Sequence, residues 1–89
     1  MHYTYVLESI QRPGTRYIGS TSNLRKRLAH HNNGDTRSTA DHRPWKLKLY
    51  IAFESHSQAL HFERYLKSGS GHAFANRHFW TSKQIRLAE

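Results

Sequence analysis

The chain has 89 residues, with 14 Lys or Arg against six Asp or Glu, a net charge of +8 with its eight histidines neutral. That length suits one small domain, able to bury only roughly 60–65% of the surface its unfolded chain exposes. The absence of cysteine excludes disulfides, thiolate metal sites and cysteine catalysis. No long apolar run and no charged-then-apolar leader is present, so the sequence predicts no membrane span and a cytoplasmic protein.

The first element is "HYTYVLES", residues 2–9, which alternates and is rich in β-branched and aromatic residues, so it reads as a strand. Pro13-Gly14 marks a turn, and "RYIGS" after it reads as a second strand, antiparallel to the first. Ser22 or Asn23 caps a helix that runs to about Asn32 and stops at Asn33-Gly34. Residues 34–45 read as an irregular loop, in which 35–44 could form a mobile flap over a cleft. "KLKLYIAFE", 46–54, alternates as a third strand. Ser55 or Ser57 caps a second helix to about Lys67, "SGSG" breaks it, and "HAFANRHFW" forms a short third helix. The expected architecture is an α+β domain over residues 1–80, a small three-stranded antiparallel sheet flanked by helices in the order β-β-α-β-α-α. Residues 81–89 read as a C-terminal tail.

Spacing on the helices separates two kinds of charge. In the first, Leu24, Leu28 and His31 share one face, Arg27 and His31 border its apolar stripe, and Arg25 and Lys26 lie elsewhere. Arg25 and Lys26 read as solvated surface or as phosphate contacts; a border Arg is commonly a snorkelling side chain. In the second helix Glu63 falls inside the stripe of Ala59, Leu60 and Leu66. A buried carboxylate needs a cation, so Arg27, Arg64 or a bound metal is expected beside it. The histidines lack His-x₃-His or His-Glu-x-x-His spacing for zinc, and no Gly-x-Gly-x-x-Gly or Walker-type loop occurs. Trp45 and Trp80 read as core or lid residues. The excess positive charge points to a polyanion, most often nucleic acid.

Together, Tyr5 in "YTYVL", Tyr17-Ile18-Gly19, Arg27 and His31 one turn apart, and the inward Glu63 closely resemble the GIY-YIG nuclease superfamily, above all its small standalone bacterial members. Homing endonucleases, some restriction enzymes and the incision subunit of bacterial excision repair belong to that superfamily. "YIGSTSNLRKRLAHHN" and "FERYLKSGSGHAFANRHF" carry the resemblance, which spans roughly residues 2–80. Tyr3-Thr4 stands where the namesake has Gly-Ile. Asn76 is the candidate for the C-terminal asparagine of several nucleases.

The resemblance implies an endonuclease acting on DNA with one divalent ion, Mg²⁺ or Mn²⁺, held by Glu63. Arg27 would grip the phosphate. Tyr5 would be the general base with Tyr17 positioning phosphate or water, or the two roles exchanged. A phenol has a pKa of about 10, so Arg27, His31 and the metal would favour its phenolate, or His31 would accept its proton. Gly19 would let the backbone approach the substrate, and Arg25, Lys26, Arg37, Arg43, Lys46, Lys48 and Lys67 would add phosphate contacts. Branched or non-B DNA is the expected substrate, since the chain has no separate sequence-reading domain. The rivals are a non-catalytic nucleic-acid-binding module with the same fold and a protein-interaction domain; the latter leaves the positive charge without a purpose.

Overall fold

The structure, a computed structural model, describes residues 1–80. The elements follow the expected order: β1 (His2–Ser9), β2 (Arg16–Thr21), α1 (Leu24–Asn33), β3 (Trp45–Phe53), α2 (His56–Leu66) and α3 (Gly69–His78), with a 3₁₀ turn at Ala40–His42. The strands form one antiparallel sheet in the order β2-β1-β3. The expected tail lies outside the described residues, among which no helix is long and apolar enough to cross a membrane.

β1 is central, and every residue from Thr4 to Ser9 is buried. Its alternating appearance in sequence therefore does not mark a wet face. Tyr5 and Leu7 point to one side, into a core with Trp45 that Leu24 and Leu28 of α1 help to close. Thr4 and Val6 point to the other side, where the Thr4 hydroxyl donates to the Ala59 carbonyl of α2 at 2.6 Å. The sheet is thus covered on both faces, as a central strand without exposed residues requires.

The helix starts obey local capping chemistry. The Asn23 side chain accepts from the Lys26 amide, and Ser55 and Gln58 close a reciprocal capping box. Gly34, at φ 82°, ends α1 in the left-handed conformation that suits glycine. β3 begins one residue earlier than the alternation suggests. Asn32 clamps the Trp45 backbone from both sides, accepting from its N–H at 2.6 Å and donating to its carbonyl at 3.1 Å.

Two expectations are corrected. α2 does end just before "SGSG", but the third helix begins within that stretch, at Gly69 rather than His72. Ser68 caps α3, accepting from the Gly71 amide, so Gly69, Ser70 and Gly71 form the first turn of that helix. Gly71 is buried, and a Cβ there would run into the Tyr65 carbonyl at the end of α2, so its missing side chain permits the tight crossing. The loop before β3 is not a free flap. The Ser9 hydroxyl donates to the His42 carbonyl at 2.8 Å, the Ile10 amide to Pro44 at 2.9 Å, and the Trp45 indole to Thr39 at 2.8 Å. Each such internal bond contributes about 1 kcal/mol net, and Thr39 is 1% exposed.

The two glycines at the start of α3 should separate in a urea titration. Gly71→Ala must force α2 and α3 apart and should lose about 1–3 kcal/mol or more. Gly69→Ala, with nothing within 4 Å of its Cβ, should gain a few tenths to about 1 kcal/mol from helix propensity.

Candidate active site

The β1–β2 register sets Tyr5 opposite Gly19 and Leu7 opposite Tyr17, so both tyrosines project from the same face. Their ring centroids are 6.3 Å apart. Gly19 is buried, and a Cβ on it would lie 2.6 Å from the Tyr5 hydroxyl oxygen and 3.1 Å from Tyr17 Cε2. Glycine is therefore required here to seat the Tyr5 phenol.

His31 does not border the apolar stripe of α1; it is inside the core, 0% exposed. Its ring lies 4.8 Å from that of Tyr17 and 6.0 Å from that of Tyr5. Both nitrogens have partners: Nε2 bonds the Tyr5 hydroxyl at 2.9 Å, and Nδ1 bonds the Thr39 hydroxyl at 2.8 Å. Thr39, a residue that sequence reasoning passed over, comes from the anchored loop. Nothing local in "RSTADHR" distinguishes it, because its partner sits on another element.

Burial governs the ionisation of this cluster. The Tyr5 phenol is pushed well above its ordinary value, first by burial and then by Tyr17; the charge and hydrogen-bonding groups of Arg27 pull the other way without cancelling them. Arg27 thus favours the phenolate as expected, but burial outweighs it. His31 is held below the usual imidazole range by burial, then by the positive charges of Arg27 and His30. Tyr5 is therefore neutral and hydrogen-bonded, with an uncharged imidazole beside it.

Arg27 is exposed. With Lys26, His30 and Asn23 it lines a hollow of about 350 Å³ at the start of α1. The wheel had placed Lys26 on a different face from Arg27; the chain leading into the helix brings both to one rim. Glu63 is half-buried, as its place in the stripe requires, and lies close enough to Tyr5 for its charge to be felt there. Its partner is neither Arg27 nor Arg64 but Lys67, whose ammonium lies 2.8 Å from Oε2 one turn on. Arg64 instead lines an outer hollow with Ser57 and His61.

A second hollow, about 430 Å³, opens between β2 and α3, with Tyr17, Lys67, His72 and Asn76 in its wall. Asn76 is exposed and accepts from the Trp80 indole at 3.0 Å, while Arg16 stacks on the Trp80 ring at 4.2 Å. Asn76 thus shares a wall with Tyr17. Trp45 is core, at 3% exposure, and Trp80 lines this hollow.

The donor chemistry at Glu63 suits a hard cation. One carboxylate oxygen already faces a positive charge, and among the described residues no three His, Cys, Asp or Glu converge. A lone carboxylate fits an ion that keeps most of its waters, as magnesium does, better than one caged by protein.

The remaining cations divide by what they already hold. Lys48 pairs with Glu8 at 3.2 Å, and Glu8 also accepts from the Gly14 amide at 2.7 Å, so this pair braces the β1–β2 loop. Arg43 folds back, its Nε donating to Ala40 at 2.7 Å and its guanidinium covering Gly34. Lys67 holds Glu63. These three are structurally engaged, whereas Arg25, Lys26, Arg37 and Lys46 are exposed and have no side-chain ion pair among the described residues.

Residues 1–76 match the model of the GIY-YIG catalytic domain. The chain is similar to a structure-specific endonuclease subunit SLX1 homolog of Giardia intestinalis, 33% identical over 97% of this chain and 25% of that protein. It is 38% identical to the structure-specific endonuclease subunit SLX1 of Candida dubliniensis over 91% of this chain and 29% of that one. A UPF0213 protein of Halobacterium salinarum is 37% identical over 75% of this chain and 86% of its own length. The chain therefore spans only about a quarter of the SLX1 relatives.

Gly19→Ala should push the Tyr5 hydroxyl off His31 Nε2 and cost about 1–3 kcal/mol, read as a lower melting temperature together with a shifted His31 ring resonance. In an NMR pH titration, His31 should protonate below about 6.5, the ordinary histidine midpoint. Since the unfolded chain takes up that proton first, His31 stabilises the fold above about pH 6.5 and the contribution is lost as pH falls through its lowered folded value.

Proposed function

The chain belongs to the GIY-YIG family of catalytic domains, and from that premise we propose that it is a divalent-metal-dependent endonuclease hydrolysing phosphodiester bonds in DNA, with branched or otherwise non-B structures as preferred substrates. The observation that carries this reading is the convergence of three chemistries around one tyrosine: the His31 imidazole at 2.9 Å from the Tyr5 hydroxyl, with the Arg27 guanidinium and the Glu63 carboxylate within electrostatic reach. The printed names of the SLX1 relatives support a structure-specific nuclease. The net charge of +8 supports a polyanionic substrate.

Arg27, which is exposed, binds the scissile phosphate with its planar fork and meets the negative charge that builds on phosphorus. Arg27 also bonds towards the buried Tyr5 phenol, so its turn towards the phosphate would open that hydroxyl to the attacking water. Because burial disfavours a standing phenolate, Tyr5 works as a relay. Its oxygen takes the water proton as its own proton passes to His31 Nε2. The water oxygen bonds to phosphorus, the bond from phosphorus to the leaving 3′-oxygen breaks, and that oxygen is protonated from solvent. Tyr17, on the wall of the open hollow, positions the phosphate, with Asn76 on the same wall. Glu63 is the residue that would hold the metal, exchanging Lys67 for it. A bound divalent ion supplies Lewis-acid stabilisation of the leaving oxygen.

Arg25, Lys26, Arg37 and Lys46 track the flanking phosphates, so binding should weaken steeply with salt. The test is cleavage of labelled duplex, single-stranded, flap and branched DNA by wild type and Glu63→Gln, with Mg²⁺, Mn²⁺ or EDTA. Cleavage by wild type should require metal and favour the branched forms. Glu63→Gln and Tyr5→Phe should each cut about 10²–10³-fold more slowly while still binding DNA. Binding without cleavage by wild type on every substrate would replace this reading with a non-catalytic nucleic-acid-binding module.

A further inference from the structure

The chain from Tyr5 to the anchored loop has a direction, and the direction depends on Thr39. Its hydroxyl donates to the Thr36 carbonyl at 3.3 Å. A hydroxyl has one proton, so the oxygen is left to accept from His31 Nδ1, 2.8 Å away. A neutral imidazole carries one N–H; with that proton on Nδ1, Nε2 keeps its lone pair. The Tyr5 hydroxyl, 2.9 Å from Nε2, then donates to it. Arg27 agrees with this sense, because a guanidinium can only donate and so favours a phenol oxygen whose own proton points elsewhere.

We propose that Thr39 is a positioning residue of the active site, fixing His31 in the Nδ1–H tautomer so that Nε2 stands ready to accept the Tyr5 proton. The proposal rests on the nuclease reading above for its catalytic consequence, though not for the tautomer. Thr39 touches no substrate. It acts through His31, and its own placement is over-determined: the side chain is held between His31 and Thr36, and its carbonyl accepts from the Trp45 indole at 2.8 Å. Thr39 is 1% exposed and His31 0%, so water cannot readily replace the hydroxyl as the acceptor for Nδ1–H. Without that acceptor the proton gains by moving to Nε2, where it would point at Tyr5 and block the transfer. The loop between α1 and β3 therefore sets the protonation pattern of the site.

The experiment uses the full chain labelled with ¹⁵N, with the His31 tautomer read from its ring nitrogen shifts and cleavage measured in parallel on the best DNA substrate. Wild type should carry its proton on Nδ1. Thr39→Val, similar in shape and still able to offer its carbonyl to Trp45, should shift the population to Nε2–H. Its kcat should fall roughly 10–100-fold with KM little changed, since the lost interaction orients a functional histidine. Thr39→Ser, which restores the hydroxyl, should recover both tautomer and rate.

An Nε2–H tautomer in wild type would overturn the proposal, and this holds even if Thr39→Val fails to fold. So would an unchanged tautomer in folded Thr39→Val, or a changed tautomer with an undiminished kcat. Should wild type cleave no substrate, the nuclease reading fails by itself, and the tautomer shift still decides the positioning role of Thr39.

Discussion

An imidazole with no contact to water must have both of its nitrogens satisfied by protein, and this constraint at His31 organises the site. Leaving either one unpaired would cost on the order of 1–3 kcal/mol, a large fraction of the stability of a domain this small. Two distant segments supply the partners: β1 brings Tyr5 and the loop before β3 brings Thr39. Seating the phenol in turn demands a strand position with no side chain, which Gly19 provides across the β1–β2 ladder. Holding the loop demands the Trp45 indole, and placing Trp45 demands the Asn32 clamp one residue beyond His31. One buried polar group thus links α1, all three strands and the connection from α1 to β3.

The acids of the site are used sparingly against a large excess of base. Glu8 braces a turn and Lys48, and Glu63 holds Lys67. The Glu63–Lys67 pair is one helical turn apart and only half-buried, so it is worth a few tenths of a kcal/mol. A weak bond of that kind is readily exchanged for a cation of higher charge. Lys67 orients Glu63 without locking it. By contrast, the Tyr5–His31–Thr39 chain is buried throughout and resists rearrangement. The site therefore joins a buried hydrogen-bonded chain to a loosely held charge pair and an exposed arginine.

The elements themselves were legible because their determinants are local. Asn23, Ser55 and Gly34 carry capping chemistry within three or four residues of where it acts, and the aromatic, β-branched strands announce themselves by composition. The exceptions are informative. "SGSG" reads as a break because glycine and serine are poor helix formers, yet Ser68 caps and Gly71 packs, and only the nearness of Tyr65 reveals why. The loop 35–44 reads as mobile because polar residues fill it, yet its anchors lie on β1 and β3.

The sequence by itself determined the class of the domain, the order of its elements and its excess of positive charge. Helical spacing also placed Glu63 inside the apolar stripe, where the half-buried carboxylate is found. Tertiary structure alone decided how the site residues work. It buried His31 rather than leaving it at a border, turned Gly19 into the seat of a phenol, chose Lys67 over Arg27 for Glu63, and let burial outweigh Arg27 in holding Tyr5 as the neutral phenol. The physical reason is that burial and hydrogen-bond partnership depend on which segments meet. Tyr5 and His31 are 26 residues apart, a distance across which no local pattern specifies a contact.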